Sequence, residues 1–413
     1  MRVAYVTMQL PSPSETFACA DVRTLSERGV DVTVYGLRPA HRDHNEMVRD
    51  RRLGNVVIHM ASPLRVLRGL LTVLSRPRWT LSLLSWTFHW HIRRPDALVR
   101  SLILAPSSLA IFRDIHEARF DVVHLFWGHY PAMVGHLVDR FAPSTVLTTF
   151  LGAYDLTSRF AGGVDVAQRA AVTWTHAFAN LDLLEDRGVP LERVQVVHRG
   201  IDLSHTRRIA TNDALARVRH RVMVAGRLIP SKGADIALSA FLSVLKTVPD
   251  ASLCVVGDGP ERGELQALAA VSTHPDTIAF LGHVPHDEVL REMARSDVFL
   301  MLSSKEGERL PNVVKEAMAM GCVCIVSKTP GIEELVEDDV TGIVLPDTTI
   351  DTVATRLRSL MMDTLTLDRL RRAAHAHVTQ GFDVTRAMDT YIATWAQLLS
   401  NRPHGEERDD RPT

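Results

Sequence analysis

The feature that most restricts this chain is a steady alternation of short apolar runs with amphipathic stretches along nearly its whole length. Such alternation predicts βαβ units, in which a strand buried on both faces of a parallel sheet is followed by a helix that covers it. A first series of strand candidates runs Val3–Thr7, Asp31–Tyr35, Val57–Met60, Val122–Phe126, Val146–Phe150, Ala177–Ala179 and Val194–Val197. A second runs Val222–Ala225, Leu253–Val256, Ile278–Leu281, Val298–Leu302, Cys322–Val326 and Gly342–Leu345. Two series predict an α/β protein of two doubly wound, Rossmann-like domains facing a cleft. Strand character lapses from Leu203 to His220, which sets the expected domains at 1–205 and 206–382. A last helix, within 383–400, has no strand of its own to cover and is expected to pack back on the first domain. The polar tail 401–413 is expected to be disordered.

Composition narrows the partners. A chain of 413 residues with 46% hydrophobic and 23% charged residues is ordinary globular material for two or three domains. Its formal net charge of -1 gives no basic field of the kind nucleic-acid binding needs, so nucleic acid is excluded as an expected partner. Cys19, Cys254, Cys322 and Cys324 are too few and too scattered for a disulfide framework, and none forms a C-x-x-C pair. The start MRVAYVTMQLPSPSE lacks the long apolar core of a secretory signal, and no run reads as a membrane span, so a cytoplasmic protein is expected.

In doubly wound domains ligands bind at the carboxyl ends of the strands, so chemistry is sought in those loops and in the cleft between the domains. After the first strand of the second series comes AGRLIPSKGADIAL, with Arg227 in the loop and Lys232 before a helix start. Two cations beside a helix N-terminus suit phosphate, although an isolated R-x4-K is more often two solvated charges. After the next strand, Gly257-Asp258-Gly259-Pro260 permits a tight turn and close approach of backbone to a ligand. The third element is Ser304–Gly321, SKEGERLPNVVKEAMAMG. Pro311 fits the first helical position, so the amides of Asn312 and Val313 fall in the first turn and can face a diphosphate. Glu316 then stands about one and a half turns in, placed to accept from sugar hydroxyls.

Taken together these residues resemble the retaining glycosyltransferases of the two-domain GT-B fold, in the family 4-like group that carries two glutamates seven residues apart. Glu308-Arg309-Leu310-Pro311-Asn312-Val313-Val314-Lys315-Glu316-Ala317 is similar to that group's E-G-L-P-N-V-x-x-E-A, and the spacing selects Glu308 over Glu306. Gly226-Arg227 and Lys232-Gly233 match its phosphate-binding pairs, and Gly331-Ile332-Glu333-Glu334-Leu335-Val336 resembles its G-I-x-E-x-V. Pro13-Ser14-Glu15-Thr16-Phe17 resembles the opening of exopolysaccharide and colanic-acid-type members, and His198-Arg199-Gly200-Ile201-Asp202 the H-x-G-I-D before the hinge. The resemblance departs at two places. Leu151 stands where the group's T-x-H-G-x-D loop has histidine, and Arg309 where glycine is common, a position that would be strained if it needs positive φ.

What the resemblance implies is a metal-independent transfer of a sugar from a nucleotide-sugar donor, with no cofactor, to a saccharide or lipid-linked saccharide. Arg227, Lys232 and Glu308 would be catalytic, with His129 in Phe126-Trp127-Gly128-His129-Tyr130 substituting for the missing histidine. Gly226, Gly257, Gly259, Leu310, Pro311, Asn312, Val313 and Glu316 would bind the donor. Ser14, Glu15, Thr16, Gly152 and Asp155 would line the acceptor side. No metal ligand is expected, since no D-x-D follows a strand and His89-Trp90-His91 has no accompanying carboxylate or thiol. Two other readings stay open: a catalytically silent nucleotide-sugar-binding subunit, and an epimerase-like enzyme of the same fold.

One stretch stands apart. From Ser62 to Arg100 there are Arg65, Arg68, Arg76, Arg78, Arg93, Arg94 and Arg100 against the single acid Asp96, with Leu64, Leu67, Leu71 and Leu74 at helical spacing and Trp79, Trp86 and Trp90 among them. The pattern suits peripheral contact with an anionic membrane surface, and equally helices that cover a sheet with arginines in water.

Overall fold

The computed structural model describes residues 1–12, 16–157, 160–212, 215–305 and 307–401. Within them the chain forms two parallel sheets. The first comprises β1 (Arg2–Thr7), β2 (Asp31–Pro39), β3 (Val57–Ala61), β4 (Val122–Phe126), β5 (Val146–Phe150), β6 (Val172–Thr175) and β7 (Val194–Val196), ordered β3-β2-β1-β4-β5-β6-β7. The second comprises β8 (Arg221–Ala225), β9 (Ser252–Val256), β10 (Ile278–Gly282), β11 (Val298–Met301), β12 (Val323–Ser327) and β13 (Ile343–Leu345), ordered β10-β9-β8-β11-β12-β13. Both are Rossmann-like, because each winds outward in both directions from a central pair. β4, β5, β11 and β12 are buried at every residue, which is why their sequences are largely apolar, with His124, Thr148, Thr149 and Ser327 as the polar members.

One strand differs from expectation. Ala177–Ala179 is not a strand; the sixth strand is the β-branched and aromatic run Val172–Thr175, wholly buried and paired with β5 and β7. The segment 177–179 instead turns, with the amides of Phe178 and Ala179 donating to the Glu334 carboxylate at 2.8 Å each.

The chain divides into two compact units. One contains Met1–His176, Asn180–Val197 and the chain from Thr385 on; the other contains Ala177–Ala179 and His198–Val384. The change of unit at His198 precedes the expected boundary at 205/206. Its cause is local: Ile201 bridges to Asp383, with Ile201 N–H donating to Phe382 O at 2.9 Å and Val384 N–H to Ile201 O at 3.1 Å. The helix Leu203–Asn212, expected as a boundary region, therefore belongs to the second unit.

The last helix, Val384–Ser400, lies with the first unit from Thr385 onward. Trp395 is fully buried and donates its indole N–H to Thr148 Oγ1 at 3.3 Å, while Tyr391 stacks on Trp174 at 4.0 Å between centroids. The tail 402–413 falls outside the described residues. The helix Pro95–Ala118 corrects another expectation, for it is long and apolar enough to cross a membrane by length and composition. Half of that apolar window is buried, with Leu109, Ile111, Phe112 and Ile115 in the core cluster beside the first sheet.

Since Trp395 fills the core of the first unit from the far end of the chain, Trp395→Ala is expected to cost about 3–5 kcal/mol in urea unfolding of that unit.

Candidate functional site

The strand order of the second sheet reverses between β8 and β11, so the loops that leave those two strands diverge there and open a crevice. Its lining includes Gly226, Arg227, Lys232, Met301 and Val313. Arg227 and Lys232 arrive from the loop after β8, and Glu308 to Val313 from the loop after β11. Sequence positions 76 apart are joined directly: Lys232 Nζ ion-pairs with Glu308 Oε1, and Ser303 Oγ donates to Glu308 Oε2 at 2.5 Å. Both charged side chains are about one-fifth exposed, at 22% and 18%, so each remains reachable by a ligand. Arg227 is exposed and has no ion-pair partner among the described residues.

These loops lock to one another through their backbones. Gly226 N–H donates to Val256 O at 3.0 Å, Leu228 N–H to Asp258 O at 2.9 Å, and Glu261 N–H to Leu228 O at 3.2 Å. A Cβ on Gly257 would lie 1.8 Å from Gly226 O, and one on Gly259 2.2 Å from Leu228 O. The expected role of these two glycines was close approach to a ligand; the structure assigns their close approach to the neighbouring loop. Gly226, by contrast, has nothing within 4 Å of where its Cβ would stand, and it faces the open crevice at φ 152°.

Pro311 caps the helix Asn312–Ala319 instead of opening it, one residue earlier than expected. The amides of Val314 and Lys315 turn back to Pro311 O, whereas those of Asn312 and Val313 have no partner among the described residues. Two unused donors at a helix N-terminus are suited to an anion. Glu316, on the same helix and 17% exposed in its side chain, holds His286 Nε2 at 3.0 Å from Oε1. His286, at the helix start after β10, escaped sequence reasoning, although its place past the carboxyl end of a strand was a usable signal. Glu306 lies outside the described residues.

Arg309 does not have positive φ; that conformation falls on Leu310, at φ 44°. The Arg309 guanidinium is 8% exposed and donates to Pro330 O at 2.8 Å, and its burial pulls its pKa below the usual arginine value while Glu334 opposes the shift. Other motif residues are structural. Glu334 accepts from Phe178, Ala179 and His198. Gly200 lets Asp383 pass, since a Cβ there would stand 2.1 Å from the Asp383 carbonyl carbon. Lys315, 1% exposed, ties Arg199 O at 2.7 Å to Asn312 Oδ1 at 3.0 Å. The cysteines are buried, with Cys254 pushed to about 11 and Cys322 to about 12 by desolvation. Cys322 precedes β12, on which Cys324 lies.

The first sheet reverses its order between β1 and β4, and of the expected residues of that half His129, Gly152 and Asp155 come together in the loops after β4 and β5. Asp155 is 4% exposed; its Oδ1 accepts from Gly128 N–H at 2.9 Å and from His129 Nδ1 at 3.2 Å, and its Oδ2 from Gly152 N–H at 3.0 Å. The carboxylate can only accept, so His129 presents an Nδ1 proton to it and the ring is held in one orientation. Leu151 is fully buried among Leu156, Val164 and Leu184, with its side chain beside Gly128. The preceding Trp127 has φ 79°, an uncommon conformation for an aromatic residue. Thr16 is exposed at its helix start, whereas Ser14 and Glu15 fall outside the described residues.

One group of histidine and carboxylate, His205, His286 and Asp287, has ligand atoms within 4.8 Å of one another. Its members are engaged, however: His205 Nε2 meets Asp287 at 2.8 Å, and Arg208 sits 2.6 Å from His205 Nδ1.

Residues 215–377 match the family described as Glycosyl transferases group 1, and the two doubly wound units are the fold of GT-B glycosyltransferases. Among individual proteins, the chain is similar to the amylovoran biosynthesis glycosyltransferase AmsK of Erwinia amylovora, 25% identical over 406 residues, covering 93% of this chain and 96% of that protein. It is 33% identical over 164 residues to a GDP-mannose-dependent phosphatidylinositol monomannoside mannosyltransferase of Mycolicibacterium smegmatis, covering 37% of this chain and 43% of that one. Among solved structures, Anabaena HepE in complex with UDP superposes with a TM-score of 0.70 at 18% identity, over 96% of this chain and 100% of that one.

The locked loops generate a stability test. Gly257→Ala is expected to destabilise the second unit by at least about 2 kcal/mol in thermal or urea unfolding, since φ is 129° and a carbonyl fills the space. Gly263→Ala, with open space around it in the helix Arg262–Ala270, should be neutral or stabilising by up to about 1 kcal/mol.

Proposed function

We propose that the protein is a retaining glycosyltransferase that moves a sugar from a nucleotide-sugar donor to a saccharide or lipid-linked saccharide, without a metal ion or cofactor. The observation that carries this reading is the juxtaposition of Arg227, the Lys232–Glu308 pair and the open amides of Asn312 and Val313 at the switch point of a domain matched as group 1 glycosyl transferase. A diphosphate and a sugar are covalent neighbours in such a donor. A cation paired with a carboxylate therefore meets both halves: Lys232 the phosphate, Glu308 a sugar hydroxyl.

In the reaction so read, an acceptor hydroxyl attacks the anomeric carbon from the face the diphosphate leaves. The bond from that carbon to the diphosphate oxygen breaks, and the hydroxyl proton passes to the departing diphosphate. Arg227, Lys232 and the helix amides stabilise the charge that builds there. Glu308 orients the sugar, and Glu316, steadied by His286, accepts from the ribose. His129, held by Asp155 beside Gly152 at the first unit's switch point, is the group offered to an acceptor hydroxyl. The names of two relatives, an amylovoran biosynthesis glycosyltransferase and a phosphatidylinositol monomannoside mannosyltransferase, support the acceptor class.

Two specific features favour a second reading, a silent nucleotide-sugar-binding subunit: Leu151 is buried in place of a polar contact, and Arg309 stands where glycine is usual. Hydrolysis of donor by the purified protein, screened over a panel of nucleotide sugars, separates the two readings, since a silent subunit binds donor and turns none over. An epimerised free nucleotide sugar would instead mark the epimerase-like reading.

Removing one charged contact to the diphosphate, in Arg227→Ala or Lys232→Ala, should lower turnover roughly ten- to hundredfold, from charged hydrogen bonds of about 1.5–3 kcal/mol. Full activity in both variants would overturn the phosphate assignment. The register of the glutamates has its own check. Glu308→Gln and Glu316→Gln are expected to impair donor use while Glu306→Gln leaves it near wild type, and the reverse order would show the wrong pair of carboxylates had been chosen.

A further inference from the structure

We propose that the helix Pro63–Ser75 docks the protein on an anionic lipid surface through an outward-facing row of leucines. In this helix hydrophobicity and burial are out of phase. The side turned into the first unit carries Arg65, Gly69 and Thr72, with Val66 and Val73 partly buried at its edge. Gly69 sits so close to the helix Pro95–Ala118 that a Cβ would stand 1.9 Å from Pro106 O. Arg65 is held inside by Asp114 at 3.3 Å and by the Tyr35 ring, 5.4 Å from its centroid. On the opposite arc stand Leu64, Leu67, Leu70, Leu71 and Leu74, exposed by 69, 52, 48, 54 and 81%.

A helix that covers a sheet in water shows the reverse arrangement. Single exposed leucines are ordinary, but five on one face of a thirteen-residue helix form an apolar surface that calls for an occupant. At about 1.5 Å per residue the helix is roughly 20 Å long, too short to span a bilayer and suited to lying in its interface.

Charge selects the occupant. Arg68 flanks the leucine arc, Arg76 caps the helix and Arg78 follows two residues later, all exposed, and the sequence from Ser62 to Pro95 contains no acid. Asp114, the acid that reaches this region, already takes Arg65 and Arg68. Apolar residues rimmed by arginines match anionic headgroups above acyl chains. A second copy of the same face would instead set arginine against arginine. The tryptophans expected to serve this contact do not: Trp79 and Trp86 are buried, at 8 and 6% exposure, Trp86 donating to Asp165 at 2.6 Å.

The proposal stands on this helix and not on the donor site, so its test is independent of catalysis. The full-length protein would be floated with phosphatidylcholine vesicles with and without phosphatidylglycerol, at low and high salt. Binding is expected only with phosphatidylglycerol and should weaken as salt rises. It should fall about tenfold both in Leu67→Gln/Leu71→Gln/Leu74→Gln and in Arg68→Gln/Arg76→Gln/Arg78→Gln. Melting temperature and donor hydrolysis should hold at wild-type values in both, and Leu71→Gln alone, expected to weaken binding less, guards against a folding defect in the triple variant. Absence of binding to either vesicle, or binding indifferent to the leucines, overturns the proposal. So does a dimer seen by sedimentation without lipid that the leucine changes dissolve, which would make a second copy the occupant. Loss of donor hydrolysis in the wild type would sink the transferase reading and leave the flotation result intact.

Discussion

The second unit depends on backbone meeting backbone at the carboxyl ends of β8, β9 and β11. Gly257 against Gly226 O, Gly259 against Leu228 O and Gly233 against Leu302 O bring three loops within distances that no side chain tolerates. Because peptide groups of neighbouring loops satisfy one another there, the loops have little freedom to relax. Arg227 and Lys232 thus project from a frame whose position is set by hydrogen bonds of 2.9 to 3.0 Å, not by their own contacts. Preorganisation of this kind is what an electrostatic site needs, since donors that must move into place lose part of their effect.

Around that frame the motif residues divide by role. Glu308 and Val313 face the crevice or its edge, whereas Lys315, two residues past Val313, and Glu334, further along the chain, turn inward to hold the segment 177–179 and the passage His198–Ile201. Both are charged side chains with low exposure, and both are satisfied by hydrogen bonds, as burial of charge requires. Arg309 belongs to the inward group, despite standing between two residues of the expected donor site, because its guanidinium reaches the Pro330 carbonyl. Within one motif, neighbouring residues thereby divide between the crevice and the interior.

The first unit uses one buried carboxylate in a comparable way. Asp155 draws the loops after β4 and β5 together through two glycine amides and orients His129 in the loop beside Leu151. The helix Pro63–Ser75 shows the other side of the same economy of space. Its close crossing with Pro95–Ala118 needs small residues at the contact, and Gly69 and Thr72 supply them, which sends the leucines outward.

Sequence by itself determined the two doubly wound sheets, because strands buried on both faces are mostly apolar, and β4, β5, β11 and β12 interrupt their apolar residues only with His124, Thr148, Thr149 and Ser327. It also put Lys232, Glu308 and Glu316 forward as one candidate set, of which the structure joins Lys232 to Glu308 and leaves Glu316 with His286. It misplaced the sixth strand, because the short apolar run Ala177-Phe178-Ala179 carries the same local signal as a short strand and only pairing with β5 distinguishes Val172–Thr175. The direction a residue faces was decided by tertiary structure alone. Nothing local tells whether glycine approaches a ligand or a carbonyl, whether Arg309 points to a crevice or to Pro330, or whether a leucine row looks in or out, for each outcome is fixed by a neighbour distant in sequence.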